Sequence, residues 1–482
     1  MDTEKFLRQL PSVEKLLSSE VSARLLEVVE RPVIAEAIRR VLDRARADVK
    51  SGDWQSWFTG DGESASLDDE VLQRELSAFC KQLASPSLKR VINATGIIIH
   101  TNLGRSILCQ QAVDAVCTAA RHYTNLEYDL TGGKRSQRAK HVSARLAELC
   151  RAEAGFVVNN NAAAVLLGLN TLANGKEVIV SRGELVEIGG SFRMPDVMRA
   201  SGAVLREVGA TNKTKLSDYE GAINDRTGLI LKVHTSNYRI VGFSHEVSIA
   251  ELHELAAKYG LPLMVDLGSG LLTSVESLRL PGGTMMDEPV VSGVMSHDPD
   301  ITTFSADKLL GASQAGVIVG KQDVVSRVAS NQLTRALRID KLSLAALDAT
   351  LSVYSVSPAG AIDQIPTLRM LCEAPERVAA RAKAIAERVA MVLGLSFEIS
   401  MELGSSKTGG GSCPLLELPT TLVCIRSENV SAATIDNLLR SAEVPVVARI
   451  ADNRVLIDPR TVQEDEIDLL LAAFEAIGNA TA

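Results

Sequence analysis

The sequence predicts an α/β protein built on a mainly parallel sheet covered by helices, with a small helical domain before it and an α+β domain after it. Three observations predict this. Between residues 90 and 342 short apolar runs alternate with helical stretches, the pattern of buried strands joined through helices. Ahead of them, apolar residues recur only at three- and four-residue spacing. Beyond Ser343, two long helical stretches precede a group of apolar strands. The expected domains are therefore 1–65 (helical), 66–89 (a linking helix), 90–342 (the large sheet domain) and 343–482 (the small C-terminal domain).

The bulk numbers bound the function. With 482 residues, 46% hydrophobic and 23% charged, the chain is ordinary for a globular protein with a large core, which excludes disorder and fibrous repeats. A net charge of -8 argues against general nucleic-acid affinity, although a local basic face can sit on an acidic protein. The seven cysteines form no CxxC pair, so reduced structural thiols are expected rather than a zinc site or a disulfide framework. The N-terminus MDTEKFLRQLPS lacks a signal pattern and no apolar run reaches the length of a bilayer span, so a cytosolic location without membrane contact is expected.

In chain order, Phe6, Leu7 and Leu10, then Val21, Leu25, Val28 and Val29, then Ile34, Ile38, Val41 and Leu42 mark short amphipathic helices. Pro32 suits the first turn of the last one, where no amide hydrogen bond is lost. Arg39, Arg40, Arg44, Arg46 and Lys50 crowd its end, either as a solvated face or as an RNA-backbone contact. Ser51 to Ser66 is polar and glycine-containing and reads as a linker or exposed loop, with Trp54 and Trp57 expected to dock. Leu67, Val71, Leu72, Leu76, Phe79 and Leu83 follow as an amphipathic helix, with Ser66 placed to cap it.

In the body, strands are expected at Gly155 to Val158, Glu177 to Ser181, Ala203 to Val208, Leu229 to Val233, Pro262 to Asp266 and Ile301 to Phe304, with a further β-like run at Ala315 to Val319. Helices fall at Ala162 to Ala173, Met194 to Ala200 and Ile249 to Tyr259. Ligands in such sheets collect at the carboxyl ends of strands, so the residues just after each run carry the functional signal. Asn159, Asn160 and Asn161 end one strand and open a helix at Ala162, which forms either a phosphate cradle or an ordinary asparagine cap. Asp266 ends PLMVD, and a carboxylate there needs a partner such as a protonated pyridine nitrogen. His234 is placed to stack on the same ring, or to be a satisfied core histidine, and Ser305 could add a phosphate ligand. Lys308, among Phe304, Leu309 and Leu310, is either a surface lysine with a packed stem or a buried amine with a lowered pKa suited to Schiff-base chemistry.

Beyond Ser343, helices are expected at Leu344 to Tyr354, Glu376 to Leu393, Ala432 to Ser441 and Glu464 to Ile477, and strands at Leu422 to Ile425, Val446 to Ile450 and Arg454 to Ile457. Gly409, Gly410, Gly411 and Ser412 read as a mobile surface loop.

These parts resemble fold-type I pyridoxal-phosphate (PLP) enzymes. At the level of whole motifs, LPSVEKLL, RVINATGIIIHTNLGRSIL, YTNLEYDLTGGKRSQRAKHV, NNNAAAVLL, SRGELVEIGGSFRMPDVM, GATNKTKLSDYEGAI, KVHTSNYRIVGF, VDLGSGLL, SADKLLGASQAG, TRALRIDKL and GGGSCPLLELP are similar to the bacterial selenocysteine synthase family, the L-seryl-tRNA(Sec) selenium transferases. The resemblance runs through all three regions of the chain. It implies a transferase that converts L-seryl-tRNA(Sec) to L-selenocysteinyl-tRNA(Sec) with selenophosphate, through a dehydroalanyl-tRNA intermediate held on pyridoxal 5'-phosphate. It further implies that Lys308 carries the internal aldimine and that Asp266 holds the pyridinium, beside which His234, Asn160, Asn161, Ala162 and Ser305 are the expected cofactor-lining residues. Arg105, Arg335 and Arg338 fall on the family's selenophosphate arginines, and guanidinium forks suit a tetrahedral oxyanion. The N-terminal domain is implied to bind the tRNA, and the assembly to be a homodecamer, a pentamer of dimers. The lysine motif departs from the family's usual spelling, with Ala306 for glycine and Ala312–Ser313 for Gly-Pro. Two other readings stand beside this one: a related PLP-dependent lyase acting on a small amino acid or amino sugar, and a noncatalytic RNA-binding protein on a decayed enzyme fold.

Overall fold

The computed structural model describes residues 3–26, 29–60, 66–84, 86–188, 192–284 and 286–481; the predicted apolar position Val28 and residues 61–65 of the predicted linker lie outside them. The chain forms two units, Met1–Arg90 and Val91–Ala482.

The first unit is helical: α1 (Thr3–Gln9), α2 (Val13–Leu17), α3 (Glu20–Leu25), α4 (Arg31–Ser51) and α5 (Asp69–Ala84). Ser12 and Ser19 cap α2 and α3 by accepting from the Lys15 and Ser22 amides, and Gly52 ends α4 in the left-handed conformation. Ile34, Ile38 and Leu42 on one face of α4 are fully buried, and Leu72, Leu76 and Cys80 of α5 join the same core. The helix start differs from expectation. Ser66 pairs in a short two-stranded ribbon with Thr59, and it is Asp68 whose Oδ1 accepts the Glu70 and Val71 amides at 2.9 and 3.1 Å. Within the predicted linker, Trp54 stacks on Phe6 with ring centroids 4.7 Å apart, and Trp57 Nε1 donates to Asp48 at 2.9 Å, so its aromatic part belongs to the core. The crowded arginines of α4 are paired: Arg39 and Arg40 with Glu36, Arg44 with Glu75, and Arg46 with Asp43.

The second unit is organised by a seven-stranded sheet: β1 (Ala154–Val158), β2 (Glu177–Ser181), β3 (Val204–Val208), β4 (Thr227–Val233), β5 (Leu263–Gly268), β6 (Ile301–Ser305) and β7 (Gly316–Gly320). Their order is β3-β2-β4-β5-β6-β7-β1. All neighbours run parallel except β7, which is antiparallel to both β6 and β1. Residues 306–315 alone join β6 to β7, too few for a parallel crossover, so the chain must turn straight back. The inner strands are buried on both faces, which is why they read as unbroken apolar runs. Among the helices of this unit are α6 (Gln110–Arg121), α7 (Lys140–Cys150), α8 (Asn161–Ala173) and α9 (Ile249–Tyr259). Two hydrophobic clusters line the strands: Val157, Ile179, Ile230 and Val265 belong to one, while Val158, Val180, Leu231 and Met264 belong to the other.

After α10 (Lys341–Val356) and α11 (Pro375–Leu393), a second sheet runs β8-β9-β11-β10, from β8 (Glu398–Gly409), β9 (Ser412–Arg426), β10 (Arg449–Ala451) and β11 (Arg454–Ile457). It is covered by α11, α12 (Ala432–Ser441) and α13 (Ile467–Thr481). The glycine loop expected to be mobile is instead the tight turn of the β8–β9 hairpin. Gly410 and Gly411 take φ of 63 and 70°, and a Cβ at Gly410 would lie 2.6 Å from Ile99 Cγ2. A two-residue turn with both φ positive is the connection that a twisted hairpin needs, and glycine supplies it without strain. Ser412 is buried and its hydroxyl lies 2.8 Å from that of Ser269, just past β5. No helix among the described residues is long and apolar enough to cross a membrane.

One buried charge cluster supports the carboxyl end of β4. Lys232 Nζ lies 2.8 Å from both Glu184 Oε1 and Glu246 Oε2, and Glu184 Oε2 accepts the Val233 amide at 2.9 Å. Burial lowers the lysine pKa, but the two carboxylates outweigh it and hold the group above its ordinary value. Burial is also the main reason that the Glu184 pKa is raised. Removing the cation alone strands a buried carboxylate. Lys232→Met therefore lowers stability by about 3–5 kcal/mol in urea unfolding, and adding Glu184→Gln recovers most of the loss.

Candidate active site

The carboxyl ends of β1, β4, β5 and β6 converge on Lys308. Residues 301–312 are all buried, and the turn holding the lysine is fastened from several sides. Ala306 donates to the Ala315 carbonyl at 2.9 Å, Leu309 to Ser269 O at 3.1 Å, and Ser106 Oγ to Lys308 O at 2.8 Å. Lys308 is 4% exposed, and its Nζ makes no hydrogen bond or ion pair among the described residues. Burial is the main cause of its lowered pKa, and the nearby Arg105 guanidinium pushes in the same direction against Asp307, Asp266 and Glu288. Such an amine is nucleophilic and can take up a proton, whereas an ordinary surface lysine is neither at neutral pH.

Asp266 lies in the next strand, β5, where the pairing with β6 shifts register between Asp266 and Gly268. Its Oδ1 accepts Asn161 Nδ2 at 2.8 Å and Thr303 Oγ1 at 2.9 Å. Burial raises its pKa, and those hydrogen bonds and Lys308 oppose the rise. A buried carboxylate held by two donors on one oxygen is a ready partner for a cation brought in by a ligand.

The asparagine turn divides its work. Asn160 caps α8, its Oδ1 accepting the Ala163 amide at 2.9 Å, while Asn161 reaches across to Asp266. Asn161 Oδ1 is buried without a hydrogen-bond partner among the described residues. The helix start leaves the Asn161 and Ala162 amides without intrahelical acceptors, so the end of α8 offers donors to an anion. Gly316 permits this approach, since a Cβ there would lie 2.0 Å from Asn160 O. Ser305, at the end of β6, is buried beside it. His234 follows β4; its amide donates to Asp266 O at 2.8 Å, and its ring Nε2 lies 3.5 Å from Glu288 Oε2.

Arg105 is brought to the lysine by an ion pair, Nη1 to Asp307 Oδ2 at 2.7 Å, from a left-handed backbone conformation with φ of 65°. Arg335 and Arg338 line a different cavity of about 570 Å³, together with Glu127, Arg135 and Arg138. The two do not share a helix. The helix there is Thr334–Leu337, and Arg338 is extended beyond it, where the Leu337 carbonyl is taken by the Asn159 amide at 2.8 Å. Arg338 lies 3.6 Å from Glu127, whereas Arg335 is exposed and makes no ion pair among the described residues. Within the chain the geometry thus gathers Lys308, Asp266, His234, the asparagine turn, Ser305 and Arg105, while Arg335 and Arg338 lie in the neighbouring basic cavity.

Sequence reasoning missed three residues here. Thr303 points inward from β6 one strand away from the aspartate, Asp307 orients Arg105 from 202 residues away, and Glu288 sits in an irregular segment. Only Asp307, next to the lysine, stood near an existing signal.

The residues fit a pyridoxal-type cofactor. They supply an amine without a buried partner, a fixed carboxylate for a ring nitrogen, an orphaned amide oxygen and a helix start for a phosphate. Comparison with known proteins finds one family along the chain. Residues 91–463 match a family model described as L-seryl-tRNA selenium transferase, and residues 7–46 match one described as selenocysteine synthase N terminal. A relative from Geotalea daltonii, named L-seryl-tRNA(Sec) selenium transferase, is 47% identical over 471 residues, covering 98% of this chain and 99% of its own. One of the same name from Moorella thermoacetica is 46% identical over 474 residues, covering 98% and 97%. Among solved structures, a D-glucosaminate-6-phosphate ammonia-lyase superposes with a TM-score of 0.56 at 20% identity, covering 83% of this chain and 98% of its own, a likeness of fold.

Proposed function

The chain belongs to the L-seryl-tRNA selenium transferase family, and from that premise we propose that it converts L-seryl-tRNA(Sec) to L-selenocysteinyl-tRNA(Sec), with selenophosphate as selenium donor and pyridoxal 5'-phosphate held at Lys308. The observation that carries the reading is the unpartnered, buried Lys308 amine beside the fixed carboxylate of Asp266. When bound, the cofactor supplies an electron sink for the carbon that loses its proton. The protein's own groups do the rest. Lys308 would hold the cofactor, and its buried amine with a lowered pKa would take the α-proton and return it. Asp266, steadied by Asn161 and Thr303, keeps a proton on the ring nitrogen. The start of α8, with Asn160, Asn161, Ala162 and nearby Ser305, holds the phosphate. Arg105 at the lysine turn, and Arg335 and Arg338 in the separate basic cavity, are the guanidiniums proposed for the selenophosphate oxyanion. Burial around the lysine turn keeps water from the reacting carbon.

The helical segment at residues 1–65, whose residues 7–46 match the selenocysteine synthase N-terminal model, serves as the tRNA-binding domain in this reading. The α4 arginines, now paired with carboxylates at the surface, can exchange those weak pairs for phosphates. The protein acts in the cytoplasm as a homo-oligomer, a decamer built from dimers.

The test compares substrates side by side. Purified protein loaded with the cofactor forms selenocysteinyl-tRNA from seryl-tRNA(Sec) and selenophosphate, and leaves free serine unchanged. Removing residues 1–60 weakens seryl-tRNA binding by about tenfold or more while the visible absorbance of the bound cofactor persists. Release of ammonia or pyruvate from free serine at a comparable rate would sink the transferase reading, and unchanged tRNA affinity after truncation would sink the role of the helical unit. Mass photometry reports the oligomer directly.

A further inference from the structure

Glu288 is the least explained charge near the lysine. Its side chain is 1% exposed, Oε2 lies 3.5 Å from His234 Nε2, and Oε1 has no hydrogen-bond partner among the described residues. The other contact to Oε2 is the Cys413 thiol at 3.6 Å, a weak donor at long range. The placement is fixed by the backbone: Val291 donates to Leu271 O at 2.9 Å, which pins this segment to the chain leaving β5. A carboxylate this deeply buried and this poorly satisfied is strongly unfavourable unless a neighbour supplies a proton or positive charge.

His234 Nε2 also faces the Arg239 guanidinium at 3.4 Å, so two opposite demands meet at one nitrogen. The carboxylate calls for Nε2–H, and the arginine calls for a bare lone pair. What each group holds elsewhere decides between them. Arg239 already donates to the carbonyls of Thr235, Tyr238 and Asp287 and lies 3.3 Å from the Asp287 carboxylate. Glu288 has nothing comparable.

We propose, building on the cofactor reading above, that Glu288 is a positioning residue whose buried carboxylate accepts a hydrogen bond from the Nε2–H of His234 and so fixes the tautomer and orientation of the imidazole expected to stack on the cofactor ring. Through that ring the carboxylate favours the protonated form of the lysine–cofactor linkage. The charged and titratable groups facing this pair are Arg239, Asp287, Glu246 and Cys413 around the histidine and glutamate, and Arg105, Asp307 and Asp266 around Lys308. Their charges remain in every variant below, so a change in titration reports on Glu288.

The readout is the pH titration of the visible band of the cofactor-loaded, full-length protein, with the band's circular dichroism as a measure of ring orientation. Glu288→Gln removes the negative charge at nearly constant volume. It lowers the midpoint by about half a pH unit or more and changes the dichroism. In a His234→Ala background the same substitution shifts the midpoint by less than half as much, because the group through which it acts is gone. Should Glu288→Gln not fold, Glu288→Asp keeps the charge but draws it back from Nε2, and is expected to lower the midpoint as well. An unchanged midpoint in these variants overturns the proposal. So does a shift that persists in full without His234, which would mean direct action of the charge on Lys308. Failure of the cofactor reading is distinguishable from both, since wild-type protein would then show no visible band.

Discussion

Lys308→Ala abolishes selenium transfer, with a loss of at least about 10³-fold, and removes the visible, borohydride-fixable absorbance of the loaded protein. The size follows from the number of tasks resting on one amine: anchoring the cofactor, leaving it for the substrate and moving the α-proton. No other lysine stands in: Lys232, the other buried lysine among the described residues, is held by two carboxylates and stays charged. The pH dependence separates a functional amine from a structural one. Burial lowers the folded-state pKa of Lys308 from its ordinary 10.5, so the apoprotein captures pyridoxal phosphate with a pH midpoint below 10.5. The same shift has a cost in stability. Between the lowered folded value and 10.5 the unfolded chain binds a proton that the folded chain does not, so this lysine's unfavourable contribution fades as pH rises through that window. Lys308→Met therefore raises the melting temperature of the cofactor-free protein by a few degrees at neutral pH while abolishing turnover. Melting at a lower temperature, with activity partly kept, would show that the lysine is there for packing.

The architecture was readable because most of the sheet is buried on both faces. Strands such as AGFVV and ITTFS stand out as apolar runs, and the residues that carry chemistry follow them in sequence because parallel strands deliver their carboxyl ends to one edge. Where that physics is absent, the reading failed. β8, EISMELGSSKTG, is a largely exposed hairpin arm with no clean alternation, and without it the glycines at its end looked like a mobile loop. The direction of β7 depends on the length of the lysine turn and not on its apolar content. Arg338 leaves the short helix that carries Arg335 because the Asn159 amide, far away in sequence, takes the Leu337 carbonyl and Arg338 itself is extended. The site's second layer was invisible for a different reason. Thr303, Asp307 and Glu288 matter through what they touch across 37, 202 and 54 residues of chain, and no local periodicity encodes such contacts.

Asp266→Asn is expected to lower turnover by about 10³-fold or more while leaving the protein folded and the cofactor attached. The substitution is nearly isosteric. Asn161 and Thr303 can still donate to the amide oxygen, which occupies the place of Oδ1, so the local framework survives. What changes is the group left for the ring nitrogen. An ionised aspartate accepts a hydrogen bond from the protonated ring nitrogen and balances its charge, whereas an amide presents either a neutral oxygen or an N–H that clashes with N–H. The ring then loses its proton and much of its pull on electrons. Burial already raises the Asp266 pKa, so its ionised form is unfavourable in the empty site. A folded-state pKa raised above the unfolded one destabilises the fold at pH above the unfolded value. The neutral variant should accordingly melt at or above the wild-type temperature without cofactor. A cofactor methylated at the ring nitrogen is cationic without a proton, and it restores part of the lost rate if charge at that position is the missing element. Turnover within about tenfold of wild type, or a loss that the methylated cofactor cannot touch, would move the electrostatic role away from Asp266.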